Sequence, residues 1–282
     1  MVEIQEHESG DENSAQPEPQ QEPQPEPQQQ QRTSRPNAGR GIYDVLVEFS
    51  KEDPVYTLCS WLRILTLLFA LSFVMDMLGL TSFKSSYYKA FGAAAATNSF
   101  RLYQRLRSVN SRIISQAFLQ QLFTEDSAHY LLYSISFVSS PPVTMALGPI
   151  VLYSFLHTIS YLIKIGEVTG QSRAPFFQNI LNLRDQYTQV ILSTVSCVEI
   201  FIFPVFFAMI LRGKASILFV FIYFRFLSLR YSSRRNPHTR IAFYNLKMSL
   251  FDVASKPACP NLVRQFIYKS VELVSRFAPP VQ

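Results

Sequence analysis

The sequence predicts an all-α, multi-pass membrane protein with hairpin-like apolar blocks and C-terminal amphipathic helices. Three observations predict it. Hydrophobic residues make up 48% of the chain and charged residues only 16%, against roughly 25% charged in soluble domains. The apolar residues are gathered into long runs that few charges interrupt. The C-terminal stretch instead places apolar residues on one side of a helix and charges on the other.

The N-terminus stands apart. Residues 1–31 contain eight acids and no Lys or Arg, and "QPEPQQEPQPEPQQQQ" (16–31) alternates Pro with Gln and Glu. Such a segment has no apolar area to bury, so residues 1–40 are expected to form a disordered acidic tail of extended character. Residues 32–282 then carry 26 bases and 12 acids. The bases flank apolar runs, so anionic lipid headgroups and membrane topology account for them better than nucleic acid does. No basic start precedes an apolar core, so the first apolar run is expected to act as an internal signal-anchor.

That run is "LCSWLRILTLLFALSFVMDMLGL" (58–80). At 1.5 Å per residue it reaches about 35 Å, enough for a hydrocarbon core of roughly 30 Å. Trp61 suits an interfacial anchor, and Arg63 is expected to snorkel to the headgroups. Next, "YYKAFGAAAATNSFRLYQRL" (87–106) is weakly apolar, with small residues from Gly92 to Ala96 that would permit close helix packing. It reads as a partial or interfacial helix. The block 129–163 runs 35 residues without Lys, Arg, Asp or Glu. Pro141 and Pro142 interrupt it and predict two arms joined at the prolines. The third block, 190–211, is followed by the polar turn Arg212-Gly213-Lys214 and a shorter apolar run, 217–229.

Positive charge concentrates in 101–112, 164–184 and 225–240. Placing all three in the cytosol makes hairpins of 58–100, 129–163 and 190–229. Single spans near 58–80, 140–163 and 190–211 are the alternative, and three to six spans remain open. The C-terminus is expected in the cytosol. The helical membrane domain is expected over 55–229, with a basic cytosolic region over 230–282.

Candidate site residues are few. Glu199 sits inside an apolar run, where an acid costs about 2.5–3.5 kcal/mol on the insertion scale. It marks either an ion path or a structural hydrogen bond to His157 or a tyrosine. Asp76 and His157 are the other intramembrane polar candidates. His129 follows Glu125 and Asp126 at helical spacing, but no further ligands cluster there, so a capped helix start is expected rather than a metal site. Arg225, Arg230, Arg234, Arg235 and Arg240 form the densest basic patch, suited to headgroups or an acidic partner. In 261–277, Val263, Phe266, Ile267, Val271, Val274 and Phe277 recur at helical spacing as a membrane-facing stripe. Cys59, Cys197 and Cys259 are far apart and suggest neither a zinc site nor a disulfide framework. Neither a P-loop, H-E-x-x-H nor G-x-S-x-G pattern is present, and no cofactor is expected.

Several motifs carry a family resemblance. "EDSAHYLLYSISFV" (125–138), "PVTM" (142–145), "CVEIFIFP" (197–204), "FIYFRFLSLRYSSRRNP" (221–237) and "KPACP" (256–260) closely resemble the transmembrane protein 33 family of pore-membrane proteins. The nearest resemblance is to its insect member, over about residues 55–282. The resemblance implies an endoplasmic reticulum and nuclear-envelope membrane protein without enzymatic activity. It implies a role in organising membrane shape and scaffolding, with reticulons or nuclear pore components as partners. Regulation of a reticulum ion channel or of stress signalling, or transport itself, is the alternative.

Overall fold

Asp53 and Pro54 start the first long helix. The Asp53 carboxylate accepts a hydrogen bond from the Tyr56 amide at 2.9 Å, and Pro54 occupies the first helical position, where its missing amide hydrogen costs nothing. In the computed structural model the described residues are 41–80, 85–107, 116–233 and 236–277. The expected acidic tail lies outside them. The described elements are helical: α1 (Ile42–Glu52), α2 (Pro54–Met77), α3 (Ser86–Arg107), α4 (Gln116–Thr124), α5 (Asp126–Val138), α6 (Leu147–Val168), α7 (Pro175–Leu211), α8 (Ile217–Ser232), α9 (His238–Ser255) and α10 (Asn261–Arg276). A 3-10 turn, Thr144–Ala146, leads into α6.

Three helical stretches are long and apolar enough to cross a membrane: Pro54–Met77, Thr144–Val168 and Pro175–Leu211. They match the three single spans of the sequence reading, with one difference in extent. Helix α7 begins at Pro175, well before the apolar run at 190. Apolarity does not set helix ends. Pro175 opens the helix and Gly213, at φ 67°, closes it. At 37 residues α7 is about 56 Å long, so it outreaches the hydrocarbon core. The polar pair Arg184–Asp185 lies on its first half, 2.8 Å apart.

Shorter helices pair with the long ones. Helix α3 is continuous over 22 residues and packs along α2, and it is not among the helices apolar enough to cross. Ala90 and Ala94 face inward, whereas Gly92 turns outward with open space around it. The close approach therefore runs through the alanines. Helix α8 folds back on α7 and also packs on α5. Between α3, α5, α7 and α8 the core is aromatic: Phe91 stacks on Phe137 at 5.4 Å, Phe137 on Phe206 at 5.6 Å, and Phe206 meets Tyr223 at 5.1 Å. Each such pair contributes about 0.5–1.5 kcal/mol beyond burial.

The proline break falls where expected, with α5 ending at Val138 and helix resuming at Thr144. Non-helical backbone in an apolar setting needs hydrogen-bond partners. Tyrosines supply them. Tyr87 Oη accepts from the Val143 amide at 3.2 Å, and Tyr133 Oη donates to the Ala146 carbonyl at 2.7 Å. Tyr88 Oη donates to the Ser140 carbonyl at 3.5 Å.

Candidate functional site

Helix α8 carries Arg230 into the interior, where its side chain is 0% exposed. Leu227 and Phe226 of the same helix turn inward with it. Four groups meet its guanidinium. Nε donates to Glu199 Oε2 of α7 at 3.3 Å. Nη1 donates to Asp126 Oδ1 of α5 at 3.2 Å. Nη2 donates to Tyr153 Oη of α6 at 3.0 Å. The ring of Tyr130, also on α5, lies under the cation at 5.0 Å from its centroid.

The partners are themselves tied down. Tyr130 Oη donates to Glu199 Oε1. Tyr223 Oη donates to the Glu199 carbonyl at 2.7 Å. Asn236 Nδ2 donates to Tyr153 Oη at 3.0 Å, and Ser233 Oγ donates to Asp126 Oδ1 at 3.3 Å. The segment leading into α9 is thereby stitched to α5 and α6. Glu199 is also fully buried, so both its oxygens are engaged by protein and none faces water. Asp126 is half-buried and forms the watery edge of the group. A buried charge is tolerated when it is paired and hydrogen-bonded, as these are. Chemically, the arrangement clasps four helices together. Beyond it, burial and the nearby Arg230 hold His238 below the usual histidine range.

The other sequence candidates scatter. Arg230 is not on the surface with its basic neighbours. Arg225 stays exposed over the Phe123 ring at 5.7 Å, and Arg240 is half-buried on α9 with Nη1 lacking a partner. Arg234 and Arg235 lie outside the described residues. Hydrophobic neighbours on α8 draw Arg230 inward, and a count of local bases does not register that. His157 does not meet Glu199; its Nε2 lies 3.3 Å from Arg101 Nη1. Arg63 does not snorkel, because α3 and α6 pack over that part of α2 and leave it 5% exposed. Asp76 is half-buried near the end of α2, where its carbonyl accepts from the Gly79 amide at 3.0 Å.

Glu125 pairs with Arg105 at 2.6 Å and accepts from Gln121 at 2.8 Å, so its side chain does not cap α5. His129 Nε2 lies 2.7 Å from the Phe123 carbonyl, and Nδ1 is 3.7 Å from Asp126. Among the described residues no group of three His, Cys, Asp or Glu side chains is placed to hold a metal. Sequence reasoning missed Asp126 and Tyr153 as partners of Arg230. The available signal was an arginine within an apolar run, which needs an acid at the same depth.

At the C-terminus α10 separates into two faces. At 100° per residue, Leu262, Val263, Phe266, Ile267, Val271, Leu273, Val274 and Phe277 fill one half of its circumference. Ile267 turns in against the body. Leu262 is 83% exposed, Phe266 72%, and Val263, Leu273, Val274 and Phe277 are also exposed. Helix α9 holds α10 through Arg264 Nε, which donates to the Ala254 carbonyl at 2.9 Å, and through Phe251 against Tyr268 at 5.6 Å.

Comparison with known proteins gives this architecture a family. The sequence profile of "Transmembrane protein 33/Nucleoporin POM33" matches residues 40–280. Human transmembrane protein 33 is 42% identical over 236 residues, covering 83% of this chain and 94% of the human protein. The homolog from Caenorhabditis elegans is 40% identical over 78% of this chain and 80% of its own length. Krueppel homolog 2 of Drosophila melanogaster, the insect relative, matches at 35%, over 78% of each chain. No solved structure matches significantly. A match across most of the chain, on three apolar helices long enough to span a bilayer, is decisive: the chain is a membrane protein of the transmembrane protein 33/nucleoporin POM33 family.

Proposed function

We propose that this protein organises membrane shape in the endoplasmic reticulum and nuclear envelope, as a non-enzymatic scaffold. The observation that carries the reading is α10, with half its circumference apolar and largely exposed, beside a bundle built for the bilayer. A helix of this kind settles at the boundary of headgroups and acyl chains, with its apolar face about 5–10 Å deep. Its polar half carries Arg264, Lys269, Glu272 and Arg276, and the bases suit anionic headgroups. Inserted in one leaflet only, such a wedge widens that leaflet and favours curved membrane. The short helices α5 and α8, packed against the longer α3 and α7, add area unequally in the same way. The C-terminal region is then cytosolic, and reticulons or nuclear pore components are the fitting partners. The nucleoporin named in the family description supports the nuclear-envelope part of this reading.

Reconstitution tests it. Full-length protein at rising protein-to-lipid ratio in anionic liposomes is expected to narrow them, as read by electron microscopy. Phe266→Glu with Leu273→Glu is expected to abolish most of the narrowing without unfolding the bundle. Liposomes whose diameter is indifferent to the wild-type protein would overturn the proposal. The transport reading rests on Glu199 alone, and both oxygens of that carboxylate are already engaged.

A further inference from the structure

Helix α7 is longer than a bilayer needs, and the excess carries an apolar row. Its run 190–211 fills the hydrocarbon core by itself, at about 33 Å. The turns before it, 175–189, stand about 22 Å beyond that core. Phe176 is 62% exposed there, and Leu183 and Tyr187 are exposed as well. Apolar side chains exposed singly mean little, but a contiguous row of them marks an interaction site. The spacing is regular. Phe176, Ile180, Leu183, Tyr187 and Val190 follow one another in alternating steps of four and three, and Thr194, Cys197 and Phe201 carry the alternation into the membrane. That is a 3.5-residue repeat, the period of a coiled-coil seam. It reaches about 38 Å along the helix. Every side chain in it is exposed or half-buried, whereas Val195, Ser196, Glu199 and Ile200 turn inward to the bundle. Pro204 takes the next place in the alternation and ends it.

The seam changes character at the bilayer. There Ser193, Thr194 and Cys197 leave a shallow groove between Val190 and Phe201. Small side chains of this kind let helix backbones approach each other in lipid. Lipid itself does not account for the row: a lipid-facing surface has no need of a 3.5-residue repeat, and headgroups reach only the first of the turns beyond the core. The occupant has to offer an apolar row in water and a close approach in the bilayer, at matching depths. A second copy does both. Two copies in one membrane share a topology, so their α7 helices run parallel and equal depths meet across a two-fold axis. Like residues then face each other, and like charges would repel. Beside the overhanging part of the seam stand Asn179 and Gln186, whose amides both donate and accept and so pair with their own copies. Arg184 is already paired with Asp185 at 2.8 Å. We propose that α7 is a dimerisation helix, and that two copies of this chain pair in parallel along the seam from Phe176 to Phe201.

This goes beyond the α10 reading and does not rest on it, since pairing is read from a covalent link and not from liposome diameter. Purified full-length protein with Cys59→Ser and Cys259→Ser keeps Cys197 as its one thiol. It is reconstituted in liposomes and oxidised with copper phenanthroline. A disulfide-linked dimer is expected on a non-reducing gel, in a yield that holds when the lipid is raised about tenfold. With Cys197→Ser added, Leu183→Cys and Val190→Cys are expected to cross-link as Cys197 does, and Gln178→Cys and Gln189→Cys, both off the seam, about tenfold less. Leu183→Glu sits at an exposed position and leaves the bundle folded; by setting like charges face to face it is expected to lower the Cys197 dimer about tenfold. Absence of the dimer, equal yields on and off the seam, or a yield that falls in step with dilution overturns the proposal. So does a Leu183→Cys variant that forms no dimer yet is shielded from a water-soluble maleimide, which assigns the row to lipid. A cross-link to another protein in native microsomes, with none in the purified protein, assigns the row to a different helix and also overturns it.

Discussion

Arg230 shows how one residue acquires four jobs. Its guanidinium touches α5, α6 and α7 from a position on α8, and each contact engages a different nitrogen or face. Removing the arginine leaves Glu199 enclosed without its cation. Arg230→Met is therefore expected to lower stability by about 3–5 kcal/mol, read from thermal unfolding of the purified protein. Adding Glu199→Leu to that variant is expected to recover most of the loss, since two apolar side chains replace a buried pair at little cost. Asp126 survives this treatment because it keeps Ser233 and partial exposure. The Tyr87 hydroxyl behaves similarly on a smaller scale. Tyr87→Phe strips the Val143 amide of its acceptor in a closed apolar corner, for an expected loss of about 1–3 kcal/mol.

Among the elements, α6 and α7 meet closely where one ends and the next begins. A Cβ on Gly166 would meet the Phe177 ring at 2.6 Å, so the helix ends approach only because that residue has no side chain. Gly166→Ala is expected to cost about 1–3 kcal/mol by forcing Phe177 aside, and Gly166→Ala with Phe177→Leu to cost less. Thermal melts of both variants check this. Helix existence at this scale was legible in the sequence, because long charge-free runs and the two prolines are local signals. Helix ends were not, as the early start of α7 at Pro175 shows: amphipathic polar turns extend a helix as well as apolar ones do. Pairings were the least legible. Arg230 and Asp126 are 104 positions apart, and no local pattern announces which acid an arginine will meet. Arg63 illustrates the reverse case, a residue whose identity suggested snorkelling but whose neighbours on α3 and α6 enclose it.

For the whole molecule, the order of spans decides which side each region occupies. Acceptor sites for glycosylation, engineered near 84, 115, 175, 213 and 280, are expected to leave 115, 175 and 280 unmodified if basic segments are cytosolic, and to modify 84 and 213 only if the hairpins cross fully. A modified site at 280 would move the α10 wedge to the other leaflet. The buried clasp has a further implication for how such a chain is made. Synthesis runs from the N-terminus, so Asp126 and Glu199 are both made before Arg230 has been joined to the chain. Until α8 arrives, α7 holds an unneutralised acid in a lipid setting, and the nascent protein is at its most vulnerable. Chains cut short before residue 230 should be recognised as unfinished and degraded rapidly, whereas chains ending after α8 should persist. Pulse-chase of chains ending before and after α8 checks whether arrival of that one positive charge changes their lifetime.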